Sequence, residues 1–230
     1  MSTAAQSRER KDGGNTVTRT IDRKTAPETT GRVLHRAASY DFTVWLMTLG
    51  RERAFREKML SFARLAPGES VLDVGCGTGN LAILAKRRAG PTGCVHGIDA
   101  SAEMIARARS KVRKARVEVV LQHSLAEALP FPQARFDVVL CTVMLHHLPH
   151  KTRLQSLNEM RRVLKPGGRA LLVDFEEAAR VGKGVFAHLR HRHGRVTNAD
   201  LSAAAREAGF NVRESGEIGF RNMHFVLASP

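Results

Sequence analysis

Residues 71–82 read VLDVGCGTGNLA: an apolar run closes on an acid, crosses three glycines at alternate positions, and enters helix formers. In an open α/β sheet, ligands bind beyond the carboxyl ends of the strands. A helix that follows such a loop points free N–H groups at the ligand and favours an anionic group there. Gly75, Gly77 and Gly79 remove three β-carbons, so a ligand can pack on backbone. Asp99 closes the next apolar run, VHGID, where an acid accepts hydrogen bonds from ribose hydroxyls. The dinucleotide fingerprint Gly-x-Gly-x-x-Gly is not met, since position 80 is Asn. Tyr40 is the only tyrosine and has Val44 four residues on, so there is no Tyr-x-x-x-Lys pair; no Gly-x-x-x-x-Gly-Lys-Ser/Thr loop occurs either. An adenosine carrying a short tail suits the loop better than a dinucleotide.

Outward from this stretch, strands and helices alternate. Strands are expected at 70–74, 94–98, 117–121, 136–142, 169–175, 211–217 and 220–227. Helices are expected at 79–88, 101–114, about 150–164 and 198–208. Runs such as DVVLC and ALLVDF are apolar without alternation, as strands covered on both faces should be. The pattern is that of an α/β sandwich with a mostly parallel sheet. Before it, apolar residues recur at helical spacing over 33–65 and close at APG, residues 66–68. Residues 1–30 are polar and lack periodicity, so they are expected to be a disordered basic tail. Residues 31–230 then form a single domain: N-terminal helices 33–65, a cofactor-binding core 66–175, and a last part, 176–230, with a variable segment and the final strands.

A formal charge of +15 implies an acidic partner or a solvated basic surface. Residues 104–117 carry six basic side chains and no acid, and are expected to be a solvated helix face. Residues 178–199 carry Arg180, Lys183, Arg190, Arg192 and Arg195 and suit an anionic partner or a membrane surface. Three unpaired cysteines argue for a reducing compartment and against a disulfide scaffold or zinc site. The start has no secretory core, and the longest apolar stretch is too short to span a bilayer as a helix. A soluble, cytoplasmic protein is expected.

These motifs resemble the class I S-adenosylmethionine-dependent methyltransferases, in the branch that includes the ubiquinone/menaquinone-biosynthesis C-methyltransferases. VLDVGCGTGNLA matches the first motif and GIDAS the ribose-binding acid; AEALPFPQARFDVVLCTVMLHHL and LNEMRRVLKPGGRALLVDF match the fourth- and fifth-strand blocks. The resemblance implies a Rossmann-like three-layer sandwich whose seven-stranded sheet is mostly parallel with an antiparallel last strand. It implies S-adenosyl-L-methionine as cofactor. Asp73, Gly75, Gly77, Thr78 and Gly79 would hold the methionine end, Asp99 the ribose, and Ala100, Leu125 and Ala126 the adenine. Thr142 would face the cofactor, and 176–230, with its basic cluster, would form the acceptor lid and final strands. The family often has Asp or Asn where this chain has Leu125, so a contact to the adenine amino group comes from backbone, from Ser124, or not at all.

Methyl transfer needs chiefly a positioned acceptor, and a general base only where the acceptor must lose a proton. His147, after the fourth strand, is the candidate base or acceptor contact. His188, His191 and His193 lie among arginines that repel a cation, so no metal site is expected. Cys76 fits the loop as a small residue. A small-molecule or lipid-like acceptor, with possible peripheral contact with anionic membrane, ranks ahead of nucleic acid because stacking aromatics are scarce: one Trp and one Tyr. A non-catalytic adaptor is the remaining alternative.

Overall fold

Seven strands form one sheet in the order β3-β2-β1-β4-β5-β7-β6. They are β1 (Ser70–Val74), β2 (Cys94–Asp99), β3 (Val120–His123), β4 (Phe136–Thr142), β5 (Leu164–Phe175), β6 (Asn211–Glu217) and β7 (Met223–Ser229). The computed structural model describes Asp41, Leu46 and residues 48–175, 198–219 and 223–230. β1 to β5 pair in parallel, and β7 runs antiparallel between β5 and β6. The order reverses between β1 and β4, which opens a crevice above their carboxyl ends.

The central strands are apolar on both faces because both faces are covered. Leu72 and Val74 of β1, Val139 and Cys141 of β4, and Ala170 and Leu172 of β5 join one core. Helices α4 (His150–Val163) and α5 (Asn198–Glu207) cover it, through Leu157, Met160, Leu201 and Ala205. The alternating positions Val71, Val138, Leu140, Leu171 and Val173 join the second core. It is covered by α1 (Glu52–Phe62) through Phe55, Met59 and Leu60 and by α2 (Asn80–Ala89) through Leu81 and Leu84. Helix α3 (Ala102–Ala115) packs beside α2 through Ile105, Ala108 and Val112. Ser101 caps it, its hydroxyl accepting from the Met104 N–H.

Two strand starts differ from the sequence expectation. β3 starts at Val120, not 117, because Arg116 turns left-handed and the Val117 N–H returns to the Val112 carbonyl, which uses 117–119 as the exit from α3. β5 begins at Leu164, which pairs with Phe136 before the glycines at 167 and 168 shift the register. β7 is described from Met223, paired with Phe175; residues 220–222 lie outside the described residues. The tail 1–30, Tyr40, Trp45, the segment 176–196 and His188, His191 and His193 lie outside the described residues. Among the described residues, no helix is long and apolar enough to cross a membrane.

Candidate active site

The loop after β1 is tied to the end of β2. The N–H groups of Gly75 and Cys76 both donate to the Ile98 carbonyl, at 2.9 Å each. The Gly77 N–H donates to Asp99 Oδ2 at 2.8 Å, and the Ser101 N–H donates to Oδ1 at 2.8 Å. Each Asp99 oxygen therefore keeps acceptor capacity for a ribose hydroxyl. Burial raises the Asp99 carboxyl above its ordinary range, against the two backbone N–H groups that favour its charge. The loop glycines have packing reasons as well as ligand ones. A Cβ on Gly75, at φ +72°, would stand 2.6 Å from Met144 Cγ, and one on Gly79, at φ +82°, would stand 3.0 Å from Ala108 Cβ.

Asp73 is the anomaly of the site. It is fully buried on the face that carries α1 and α2, and neither carboxylate oxygen reaches a hydrogen-bond partner. Burial pushes its carboxyl up to about 7; Asp99 adds to this, and Arg56, with a slight pull from the nearby Ala82 N–H, opposes it. An orphaned buried carboxylate beside a glycine loop fits a ligand with a cationic end, such as an amino-acid ammonium, and a ribose for Asp99. The residues present therefore fit the cofactor that the sequence motifs imply.

Thr78 is buried, and its hydroxyl is committed within the protein. It donates to Asp41 Oδ1 at 2.6 Å and accepts from Lys111 Nζ at 2.8 Å. Lys111 also donates to Asp41 Oδ1 at 2.7 Å and Asn80 Oδ1 at 2.9 Å, which fills all three of its donors. Arg107 Nε donates to the other Asp41 oxygen at 2.7 Å. Helix α3 is thus not simply a solvated basic face: Arg107 and Lys111 on its inner side clamp Asp41 beside Thr78 of the glycine loop. Sequence reading missed Asp41 and Lys111. Lys111 could have been found by its helical spacing, since it follows Met104 and Ala108 along the buried stripe of α3.

Of the other expected residues, Leu125 and Ala126 are buried, Ala126 within the core, and Ala100 and Thr142 are half-buried at the rim. The Ser124 N–H is taken by the Asp99 carbonyl at 3.1 Å, so it is not left for adenine. The Cys76 thiol is buried and pushed well up, by burial first and then by Asp73 and Asp99, so it is inert as a nucleophile.

After β4 the chain makes a short 3₁₀ turn, Leu145–His147. His147, the residue favoured by sequence, packs its ring 3.9 Å from that of His146. His146 is the histidine held by a carboxylate: its Nδ1 lies 2.7 Å from Asp174 Oδ1, and its backbone N–H donates to Asp174 Oδ2 at 3.0 Å. Asp174 was legible as a third acid that closes an apolar strand, after Asp73 and Asp99.

Comparison with known proteins agrees with this fold. The methyltransferase domain family model matches residues 71–168. The ubiquinone/menaquinone biosynthesis C-methyltransferase UbiE of Ralstonia pickettii is 40% identical over 146 residues, 63% of this chain and 59% of that protein. The match thus spans about three fifths of that relative's length. A solved S-adenosylmethionine-dependent methyltransferase from Aquifex aeolicus superposes with a TM-score of 0.69 at 26% identity, over 85% of this chain and 98% of that one. A candidate methyltransferase of Bacillus halodurans C-125 is 30% identical with a TM-score of 0.60, over 70% of this chain and 71% of that one.

Proposed function

The chain belongs to the class I S-adenosylmethionine-dependent methyltransferases, and from that premise we propose that it methylates a carbon of a small, hydroxylated, quinone-like acceptor. The observation that carries the reading is the pair of acids on either side of the glycine loop, Asp99 half-buried on the Gly77 N–H and Asp73 fully buried without a partner. Asp73 takes the cationic methionine end, Asp99 takes the ribose hydroxyls, and Leu125 packs against adenine without bonding it. The name of the Ralstonia relative supports carbon as the methylated atom and a quinone precursor as the acceptor class.

S-adenosylmethionine supplies a methyl group already activated on sulfur. This chain's residues contribute position: acceptor and methyl held in near-attack geometry lower the barrier by several kcal/mol, roughly 7–11 at most. The rim of β4 and β5, with Thr142, Met144, His146 and Phe175, forms the acceptor side of the crevice. The test is transfer of labelled methyl from the cofactor into cell-extract fractions. Label should enter the lipid-soluble small-molecule pool. Label confined to nucleic acid would contradict the reading.

A further inference from the structure

We propose that His146, oriented by Asp174, is the general base that removes the acceptor's proton; this rests on the acceptor class proposed above. Asp174 is buried at the end of β5 and accepts three hydrogen bonds, from the backbone N–H groups of His146 and Phe175 and from His146 Nδ1. A carboxylate on Nδ1 fixes the proton there and leaves the Nε2 lone pair free to take another. Among the described residues nothing hydrogen-bonds Nε2, and the His146 side chain is 21% exposed. A ring held at one nitrogen and open at the other is how a positioned base is built.

The location agrees. β4 lies beside β1, and Met144, two residues before His146, packs on the glycine loop at Gly75. The His146 ring is walled by His147 and, edge to face at 5.6 Å, by Phe175. Asp174 faces His224 across the β5–β7 pairing, and its charge is felt by the buried Cys141 thiol. An acidic strand end, a histidine turn and an aromatic wall meet on one rim of the crevice.

The proton balance names the acceptor class. Moving a methyl cation onto a neutral acceptor and releasing the neutral sulfide frees one proton per turnover. For a hydroxylated ring, the O–H bond breaks, its electron pair is delocalised to the ring carbon that forms the new C–C bond, and Nε2 takes the hydroxyl proton. The hydrogen on that carbon is then lost as a proton, the hydroxyl regains one, and a single proton passes to solvent. Asp174 stabilises the imidazolium in between. An acceptor whose nucleophile already carries a free pair would not need this arrangement.

Two measurements test the pair. Nitrogen-15 correlation spectra of the free, labelled chain at neutral pH should show Nδ1 of His146 protonated and Nε2 bare, with the Nδ1–H signal lost in Asp174→Asn. The opposite tautomer overturns the proposal. Methylation of naphthohydroquinone should fall at least about 10²-fold in kcat for His146→Gln. Asp174→Asn should lower kcat about tenfold or more, with KM and calorimetric cofactor affinity within about twofold in both variants. Undiminished kcat in His146→Gln, or loss only in His147→Gln, overturns the assignment. A wild-type chain that binds cofactor but leaves naphthohydroquinone unmethylated refutes the acceptor class, while the tautomer measurement still decides the pair.

Discussion

The buried, unpartnered Asp73 makes the free protein less stable as the pH rises, and Asp73→Asn should abolish that dependence. Folding raises its carboxyl from 3.8 to about 7. Between those values the folded chain holds a proton that the unfolded chain has lost, so stability falls as pH climbs through the window and stays low above it. About three pH units at roughly 1.4 kcal/mol each is about 4 kcal/mol. Relaxation around a buried charge takes up part of this, so about 2–4 kcal/mol is expected. For a domain of this size that is roughly 5–15 °C in melting temperature. The assay is thermal unfolding of wild type and Asp73→Asn at pH 5 and pH 8. The variant should melt a little above wild type at the lower pH, where about one unit of the window is already crossed, and well above it at the higher. The same variant should bind S-adenosylmethionine more weakly, because the cationic end loses its counter-charge. In wild type, cofactor binding near pH 6 should release a proton, read by calorimetry in buffers of different ionisation enthalpy. A stability difference between the two chains that is the same at pH 5 and pH 8 would refute the reasoning.

Gly75→Ala should cost about 2–4 kcal/mol, since it combines a left-handed backbone with a Cβ 2.6 Å from Met144; adding Met144→Ala should recover the contact but not the backbone part, by denaturant titration. Lys111→Met strips three hydrogen bonds from Asp41, Thr78 and Asn80, and should cost about 2–3 kcal/mol and weaken cofactor binding although Lys111 lies outside the glycine loop. The Asp41 carboxyl is held below 3.8 because its bonds to Lys111, Thr78 and Arg107 outweigh burial. Its stabilising effect is therefore present above that value and lost on acidification through the lower folded one, so Asp41→Asn should flatten the acid limb of the unfolding curve.

The alternation of strand and helix was legible because each central strand is apolar on both faces, and the helices carry a single apolar stripe. The cofactor loop was legible because its glycines and its two strand-closing acids sit in one contiguous stretch of sequence. Pairings between distant residues were not. Nothing local joins Asp41 to Lys111, or His146 to the carboxylate of Asp174, which lies on another strand. The start of β3 shifted because tertiary pairing, rather than local propensity, sets where a strand begins. The unpaired state of Asp73 could not be read from sequence, since it depends on which donors fail to reach it.

The most direct test of the central claim is calorimetric titration of the chain with S-adenosylmethionine, beside Asp99→Ala and with NADH as a control ligand. Saturable one-to-one binding of S-adenosylmethionine, no signal with NADH, and a loss of about 1.5–3 kcal/mol in Asp99→Ala are predicted. Binding of NADH, or an Asp99→Ala chain with unchanged affinity for S-adenosylmethionine, would contradict it.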